Sequence, residues 1–523
     1  MKYPIGIQTF SELIEDKWLY IDKTEYVYKM THTYKYVFLS RPRRFGKSLL
    51  VSTLKSYFQG RKDLFAGLAI EKLEMEWKRH PVFHFNMSTA KSQDINATKS
   101  ILHSMICSYE TVYGKCPDSD EFTPRLKWIF KNAYEQAGEK IVILIDEYDS
   151  PILEVMEDPD KLKDFRNLFR TFYSPIKDCD EYIKFAFITG ITKFSQLSIF
   201  SEINNLSIIS MDDEYSAVCG ITKDEILSNF KIGLQEFSEK ENISVDTLIM
   251  RLKKQYDGYH FSENSQDIFN PFSLLSAFQK KKLDNYWFST GTPSWLIKKM
   301  REFDFQPQDL ECSVAEQTDF DAPTEGMSSA LPLLYQSGYL TIKKADIRRR
   351  LFTLSVPNNE VREGLFKSLV PYYLTKRTQD SNIFISDFGW FVIDNEIPQA
   401  LHLMRTFISS IPYDLLRRDE KCYHTIFFIV SRLLCKFVDS EVASSNGRSD
   451  MVLKTDTHIY VFEFKYGGKV DKALLQIEEK GYLIPYEMDG RAVVKVAVNF
   501  NEDARTIDGW AIERDGERSV EVF

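Results

Sequence analysis

The sequence predicts an α/β protein with two separate sheets, and three observations carry that expectation. From Val37 to about Leu206, continuous apolar runs such as Lys140–Ile145 and Tyr182–Thr189 alternate with helical stretches, as in a parallel sheet covered on both faces. A Gly46-Lys47-Ser48 turn joins the apolar run Tyr36–Leu39 to a helix-like stretch from Leu49 to Leu54. From about Pro412 a second, shorter alternation begins, with a strand at Thr457–Lys465, a helix at Asp471–Tyr482 and a strand at Ala492–Val498. The expected boundaries are 1–210 for the first sheet and its helices, 211–302 for a helical lid, 303–405 for a linker and a winged-helix-like segment, and 406–523 for a small C-terminal α/β domain.

A chain of 523 residues is too long for one core. Its hydrophobic share of 43% and charged share of 27% are those of a soluble globular protein, and 39 Phe with 27 Tyr fill cores readily. A net charge of −9 excludes a chain that coats nucleic acid generally, though not one with a local basic groove. The seven cysteines form no C-x-x-C pair and are odd in number, which argues against a disulfide framework or zinc site and for a reducing cytoplasm. The N-terminus shows no apolar signal segment, and the most apolar stretch, Thr425 to Cys435, is too short to span a bilayer and is broken by Ser431 and Arg432. No membrane association is expected.

Each element of the first half has a local reason. Trp18–Ile21 is expected as a short strand and Asp22 or Thr24 as the cap of a following helix. Strand, a loop ending in Gly46-Lys47-Ser48, and helix together make the phosphate loop of a P-loop NTPase sheet. Its backbone N–H groups and helix N-terminus face an anion over Arg43, Arg44, Phe45, Gly46, Lys47, Ser48 and Leu49. Lys47 would reach the β/γ-phosphates and the Ser48 hydroxyl would bind Mg²⁺. The first glycine of the general motif is replaced by Arg41. Arg43 and Arg44 would add charge beside the phosphates, or face solvent or a partner. Ile141–Ile145 ends in Asp146-Glu147, which puts Asp146 in place to hold Mg²⁺ with Ser48, and Glu147 to orient the attacking water. Thr189, at the end of the next long strand, is either a γ-phosphate sensor or a strand cap. Arg166 and Arg170, one turn apart, are an arginine finger in trans or a solvated helix face.

Helices are expected at Lys223–Phe237, Val245–Tyr256, Pro271–Lys280 and Ser294–Arg301, then a polar linker from Phe303 to Met327. Leu331–Tyr335, Gly338–Ile342 and Leu351–Val356 read as the end of a winged-helix unit, followed by a helix from Glu360 to Tyr373.

Several stretches resemble the AAA-ATPase-like proteins common in gut and other anaerobic bacteria: Tyr20-Ile21-Asp22-Lys23-Thr24, Ser40 through Ser48, and Leu144-Ile145-Asp146-Glu147-Tyr148-Asp149. Tyr256-Asp257-Gly258-Tyr259 and Tyr286 through Pro293 resemble that family too. In it an arginine also stands where the first glycine would be. The resemblance covers essentially the whole chain. It implies a P-loop ATPase of the AAA+/STAND-like branch with a helical lid, and ATP as the nucleotide.

In the last domain the informative residues are Gly447-Arg448-Ser449-Asp450, Glu463-Phe464-Lys465 and Gln476. Glu463 and Lys465 lie two apart on one strand, so they share a face. Two carboxylates, Asp450 and Glu463, with the Phe464 carbonyl, suit oxygen-liganded Mg²⁺. Lys465 would position or deprotonate water and offset charge on a phosphate, with Gln476 and Lys480 looking back from the next helix. The strand is apolar on both faces, so a Glu and a Lys within it are costly unless they pair or bind metal. This spacing looks like a PD-(D/E)xK nuclease core, a restriction-endonuclease-like fold, with Ser449 in place of the proline. Glu441 and His424 are further candidates. The expected function is an ATPase joined to a Mg²⁺-dependent nuclease acting on nucleic acid, with DNA as the expected substrate and a homo-oligomer as a further expectation. The alternative is a STAND-type switch or scaffold whose nuclease fold binds without cleaving.

Overall fold

The computed structural model describes residues 2–193, 206–288, 294–323, 327–373, 378–410, 420–434, 439–441, 450–501, 506–514 and 516–523. The chain forms two compact units, one of residues 1–303 with 312–361, the other of 304–311 with 362–523.

The first unit is built on a five-stranded sheet of β1 (Tyr36–Ser40), β2 (Val82–Asn86), β3 (Ile141–Asp146), β4 (Ile183–Gly190) and β5 (Ser207–Ile208). All its pairings are parallel and its order is β2-β3-β4-β1-β5. β1 and β3 are buried at every residue, which explains their unbroken apolar runs: helices cover both faces. The helices Ile95–Tyr113, Phe122–Ala137 and Pro159–Tyr173 form the crossovers, the last capped by Asp158, whose side chain accepts from the Lys161 N–H. Because β4 lies between β1 and β3, its carboxyl end separates the two motif-bearing strands. Leu39 pairs with Thr189, and Ile145 with Ile188.

The expected strand at 18–21 does not form: the stretch is irregular, with Leu19 N donating to Lys2 O at 2.9 Å. Leu19 and Ile21 pack instead on a helical layer whose core includes Phe230, Leu248, Leu252, Phe269 and Phe278. Tyr3 joins this core, its ring stacked on Phe230 at 5.9 Å. The helix expected over 223–237 is two helices, Lys223–Asn229 and Lys231–Glu241, meeting at the buried Phe230. The polar stretch after 303, expected as a linker, contains structure: a 3-10 turn Pro307–Leu310, a strand β6 (Ser313–Glu316) and a helical turn Gln317–Phe320. β6 pairs antiparallel with β8 (Leu351–Ser355), which pairs with β7 (Thr341–Asp346), beside the helix Leu331–Gln336.

The second unit is a six-stranded mixed sheet in the order β14-β13-β12-β11-β10-β9. Its strands are β9 (Asp439–Glu441), β10 (Met451–Lys454), β11 (His458–Tyr466), β12 (Ala492–Phe500), β13 (Ile507–Arg514) and β14 (Glu517–Val522). β11 and β12 run parallel, joined by the helix Val470–Glu479, and the other pairs are antiparallel. Ala473, Leu474 and Ile477 of that helix bury against Val452, Val461 and Ala497 of the sheet. β13, β14 and the helices Thr378–Ile393 and Ile397–Ser409 add to the expected elements. Among the described residues no helix is long and apolar enough to cross a membrane.

Candidate functional site

The phosphate loop begins where β1 ends and closes at Gly46, which sits at φ 94° as the N-cap of the helix Lys47–Phe58. A glycine tolerates that left-handed conformation without steric cost. Lys47 is buried, and its Nζ donates to the loop's own carbonyls, Arg41 O at 2.9 Å and Pro42 O at 3.0 Å. Burial pulls its pKa below the ordinary lysine value, against the opposing pull of Glu147, Asp146 and Asp149. Ser48 and Leu49 are half-buried just inside the helix, and Arg43 and Arg44 are exposed. The Arg44 guanidinium lies 4.8 Å from the centre of the Phe272 ring, and the Arg43 carbonyl accepts from Trp287 Nε1 at 3.2 Å. Phe45 turns inward, edge-on to Tyr259 at 4.8 Å and Phe261 at 5.4 Å.

The residue in the missing-glycine position has a distinct role. Arg41 is only 1% exposed and pairs with no carboxylate among the described residues. Its guanidinium donates to the backbone carbonyls of Ser40 (3.0 Å), Ser210 (2.7 Å), Tyr215 (3.1 Å) and Ser216 (3.4 Å), and lies 4.2 Å from the centre of the Phe261 ring. Burial pulls its pKa down to about 10. The arginine therefore ties the loop entrance to the segment after β5.

The acidic end of β3 faces this loop across β4. Asp146 is 2% exposed, and its Oδ1 has no hydrogen-bond partner among the described residues. An orphaned buried carboxylate oxygen fits a hard cation, because its desolvation is otherwise uncompensated. Glu147 follows at φ 51°, a strained conformation for a residue with Cβ, and burial raises its pKa. Thr189 is fully buried between the two motifs, and its hydroxyl donates to Leu39 O at 2.7 Å. This bond ties β4 to β1. Gly190 O accepts from Arg41 N at 3.2 Å, and Thr189 O from Tyr148 N at 3.1 Å. The half-buried Arg166 and exposed Arg170 lie on the helix Pro159–Tyr173.

Sequence reasoning passed over two features here. Asp149 is fully buried, and its Oδ2 accepts from Ile191 N (2.9 Å), Thr192 N (2.7 Å) and Thr192 Oγ1 (2.7 Å). It bolts the turn after β3 to the turn after β4, and the second aspartate of Asp146-Glu147-Tyr148-Asp149 was its signal. The other feature is an apolar cavity of about 100 Å³, partly open to solvent, beside Gly46 and Leu49, lined by Leu19, Ile21, Phe45, Val218 and Ile221 among others. Its apolar walls suit a nucleotide base, and its signal lay dispersed over chain segments that only the fold brings together.

In the second unit, the structure brings the predicted nuclease residues together. Asp450 precedes β10, and its Oδ2 accepts from the Phe464 N–H at 2.8 Å. The peptide group of Phe464 thus meets the aspartate through its amide. Glu463 is 2% exposed on β11. Its Oε1 accepts from Lys465 Nζ at 3.2 Å, while its Oε2 is buried with no partner among the described residues. Burial, then the charge of Asp450, pushes the Glu463 carboxyl up to about 7. Lys465 Nζ also donates to Gln476 Oε1 at 2.6 Å. Lys480, by contrast, is exposed past the helix end. Among the described residues no group of three or more His, Cys, Asp or Glu gathers in metal-binding geometry. The unpartnered Oε2 of Glu463 and the adjacent Asp450 carboxylate nonetheless have the oxygen chemistry a divalent cation takes. The side chains of Glu441 and His424, and residues 289–293 and 442–449 with Gly447, Arg448 and Ser449, lie outside the described residues.

Comparison with known proteins gives matches in both units. Residues 4–200 match the AAA-ATPase-like family, described as a predicted AAA-ATPase, and residues 418–510 match the PD-(D/E)XK nuclease superfamily. The chain is 33% identical over 530 residues to an uncharacterized protein in the vnfD 5′ region of Azotobacter chroococcum mcd 1, covering 98% of this chain and 99% of that protein.

Proposed function

Since the chain belongs to the AAA-ATPase-like family and ends in a domain of the PD-(D/E)XK nuclease superfamily, we propose that it is a cytoplasmic ATPase whose nucleotide state governs Mg²⁺-dependent cleavage of DNA. The observation that carries the reading is the convergence of Asp450, Glu463, Lys465 and Gln476 around β11 of the second sheet, with a buried carboxylate oxygen unsatisfied among the described residues.

In the first unit Lys47 leaves the carbonyls of Arg41 and Pro42 for the β/γ-phosphates of ATP, which present stronger acceptors in the same loop. The apolar walls beside Gly46 would take the base. Ser48 and Asp146 would hold the Mg²⁺ of the nucleotide, Glu147 orients water, and Thr189 holds β4 in register between them. In the second unit Asp450 and Glu463 would hold the metal. Lys465, aimed by Glu463 and Gln476, orients the attacking water and balances charge on the scissile phosphate. When bound, the cation polarises the phosphate and lowers the pKa of water.

The test is incubation of the full chain with plasmid and linear DNA, with Mg²⁺ or Mn²⁺, with and without ATP. Cutting is expected for wild type and lost in Asp450→Ala and Lys465→Ala. Absence of cutting by wild type in every condition would overturn the nuclease reading. Phosphate release should fall on the order of 100-fold in Lys47→Ala, and release unchanged by that substitution would overturn the ATPase reading.

A further inference from the structure

The chain as a whole is acidic, at −9, but one stretch of the first unit is not. Residues 343–350, Lys-Lys-Ala-Asp-Ile-Arg-Arg-Arg, carry five basic side chains against one acid. They form the outer part of β7 and the turn into β8. The register Ala345↔Phe352 and Asp346↔Leu351 places Ile347, Arg348, Arg349 and Arg350 at the hairpin tip.

The base of the hairpin is fixed. A bulge between Ile342 and Lys344 sets Lys343 apart from the ladder, and its Nζ donates to Gly258 O at 3.0 Å and Pro357 O at 2.8 Å. Ile342, Phe352 and Leu354 are buried beneath. The tip is shaped but bare. Asp346 Oδ1 accepts from Arg349 N at 3.1 Å, and Arg350 takes φ 54° to close the turn. Lys344 and all three arginines are exposed, and Ile347 is 63% exposed. Among the described residues no carboxylate pairs with Lys344, Arg348 or Arg350, and Arg349 has only Asp346, at 3.9 Å.

Three consecutive like charges on a fixed turn repel one another, and a merely solvating tip would mix signs and need no bare isoleucine. We propose that this hairpin is a DNA-docking element. A two-stranded ribbon fits a duplex groove. The arginines would bridge phosphates bidentately, and Ile347 would press against base edges or between base steps. An anionic membrane fits less well, because a single aliphatic side chain supplies little buried apolar area. The inference rests on the reading that the chain acts on DNA, but the hairpin lies on a different unit from the Asp450–Glu463–Lys465 site.

The test measures binding of a labelled DNA duplex by fluorescence anisotropy between about 50 and 200 mM salt. It uses the full chain carrying Asp450→Ala, so that no cutting intervenes. Adding Arg348→Ala, Arg349→Ala and Arg350→Ala should weaken binding at least about tenfold and make the slope of log Kd against log salt shallower by about 3. Ile347→Ala should weaken binding with the slope unchanged. A melting temperature equal to the parent's, with and without ATP, shows that the variant is folded. An unchanged Kd and slope in the triple variant would overturn the proposal, as would arginine-dependent binding to phosphatidylserine vesicles without binding to the duplex. The nuclease reading fails by a different result, the absence of cutting when Asp450 is intact.

Discussion

At position 41 the side chain does what a glycine could not. Arg41 satisfies four backbone carbonyls and stacks on Phe261. Arg41→Gly restores the general P-loop pattern yet removes all four guanidinium hydrogen bonds and opens a cavity, with Tyr215 O keeping its bond from the Val218 N–H at 3.2 Å. We expect a loss of stability on the order of 3 kcal/mol and weaker nucleotide binding, read by thermal unfolding and by titration with a fluorescent ATP analogue. Arg41→Lys should recover only part of either, since an ammonium cannot span the same acceptors. Glu360 gives a second prediction at this scale. It is 1% exposed, its Oε1 accepts from Trp287 N at 2.7 Å, and burial pushes its carboxyl up to about 7. A carboxyl whose folded pKa is raised stabilises the fold below its ordinary range, and that contribution is lost as pH rises through about 7. Wild type should therefore lose stability relative to Glu360→Gln between about pH 5 and pH 8, by on the order of 2 kcal/mol, as measured by denaturant unfolding across that range.

Between elements, the phosphate loop is held from outside by several neighbours of one unit. Gly338, at φ 85°, lies so close to the loop that a Cβ there would come within 2.6 Å of Pro42 Cβ. Gly338→Ala should displace the loop and lower affinity for ATP by on the order of tenfold, read as a shift in the titration midpoint. Element by element, the legible parts were those with strong local patterns: the buried parallel strands, the Gly46-Lys47-Ser48 turn, and helices with clear caps such as Val245–Tyr256, whose Ser244 accepts from Thr247 N. The illegible parts depended on distant partners. Leu19 and Ile21 are apolar because helices from beyond residue 220 cover them, and Tyr20 because it packs on Phe10, not because the stretch pairs as a strand. β14 is exposed along nearly its whole length at an open sheet edge, Val520 and Val522 included, so no run of buried apolar residues marks it as a strand. The residues of both candidate sites were readable because each chemistry fixes a spacing along one strand or turn. Asp149 and the apolar cavity were not, because their meaning comes from contacts made across the fold.

For the whole molecule, two compact units imply that ligands act on each separately before they act on the chain. ATP with Mg²⁺ should raise the unfolding temperature of one transition by mass action, about 2.7 kcal/mol at 100 times Kd, and Lys47→Ala should abolish that shift in a calorimetric scan. The same anchoring of Arg41 has a consequence on the timescale of descent. Its acceptors at Ser210, Tyr215 and Ser216 are main-chain oxygens, which every amino acid possesses. Mutation can rewrite the side chains at 215 and 216 without cutting the arginine's bonds, while no other side chain at 41 can keep all of them. Across diverging descendants, position 41 should stand nearly fixed beside a segment that drifts, so no paired substitutions would betray the contact.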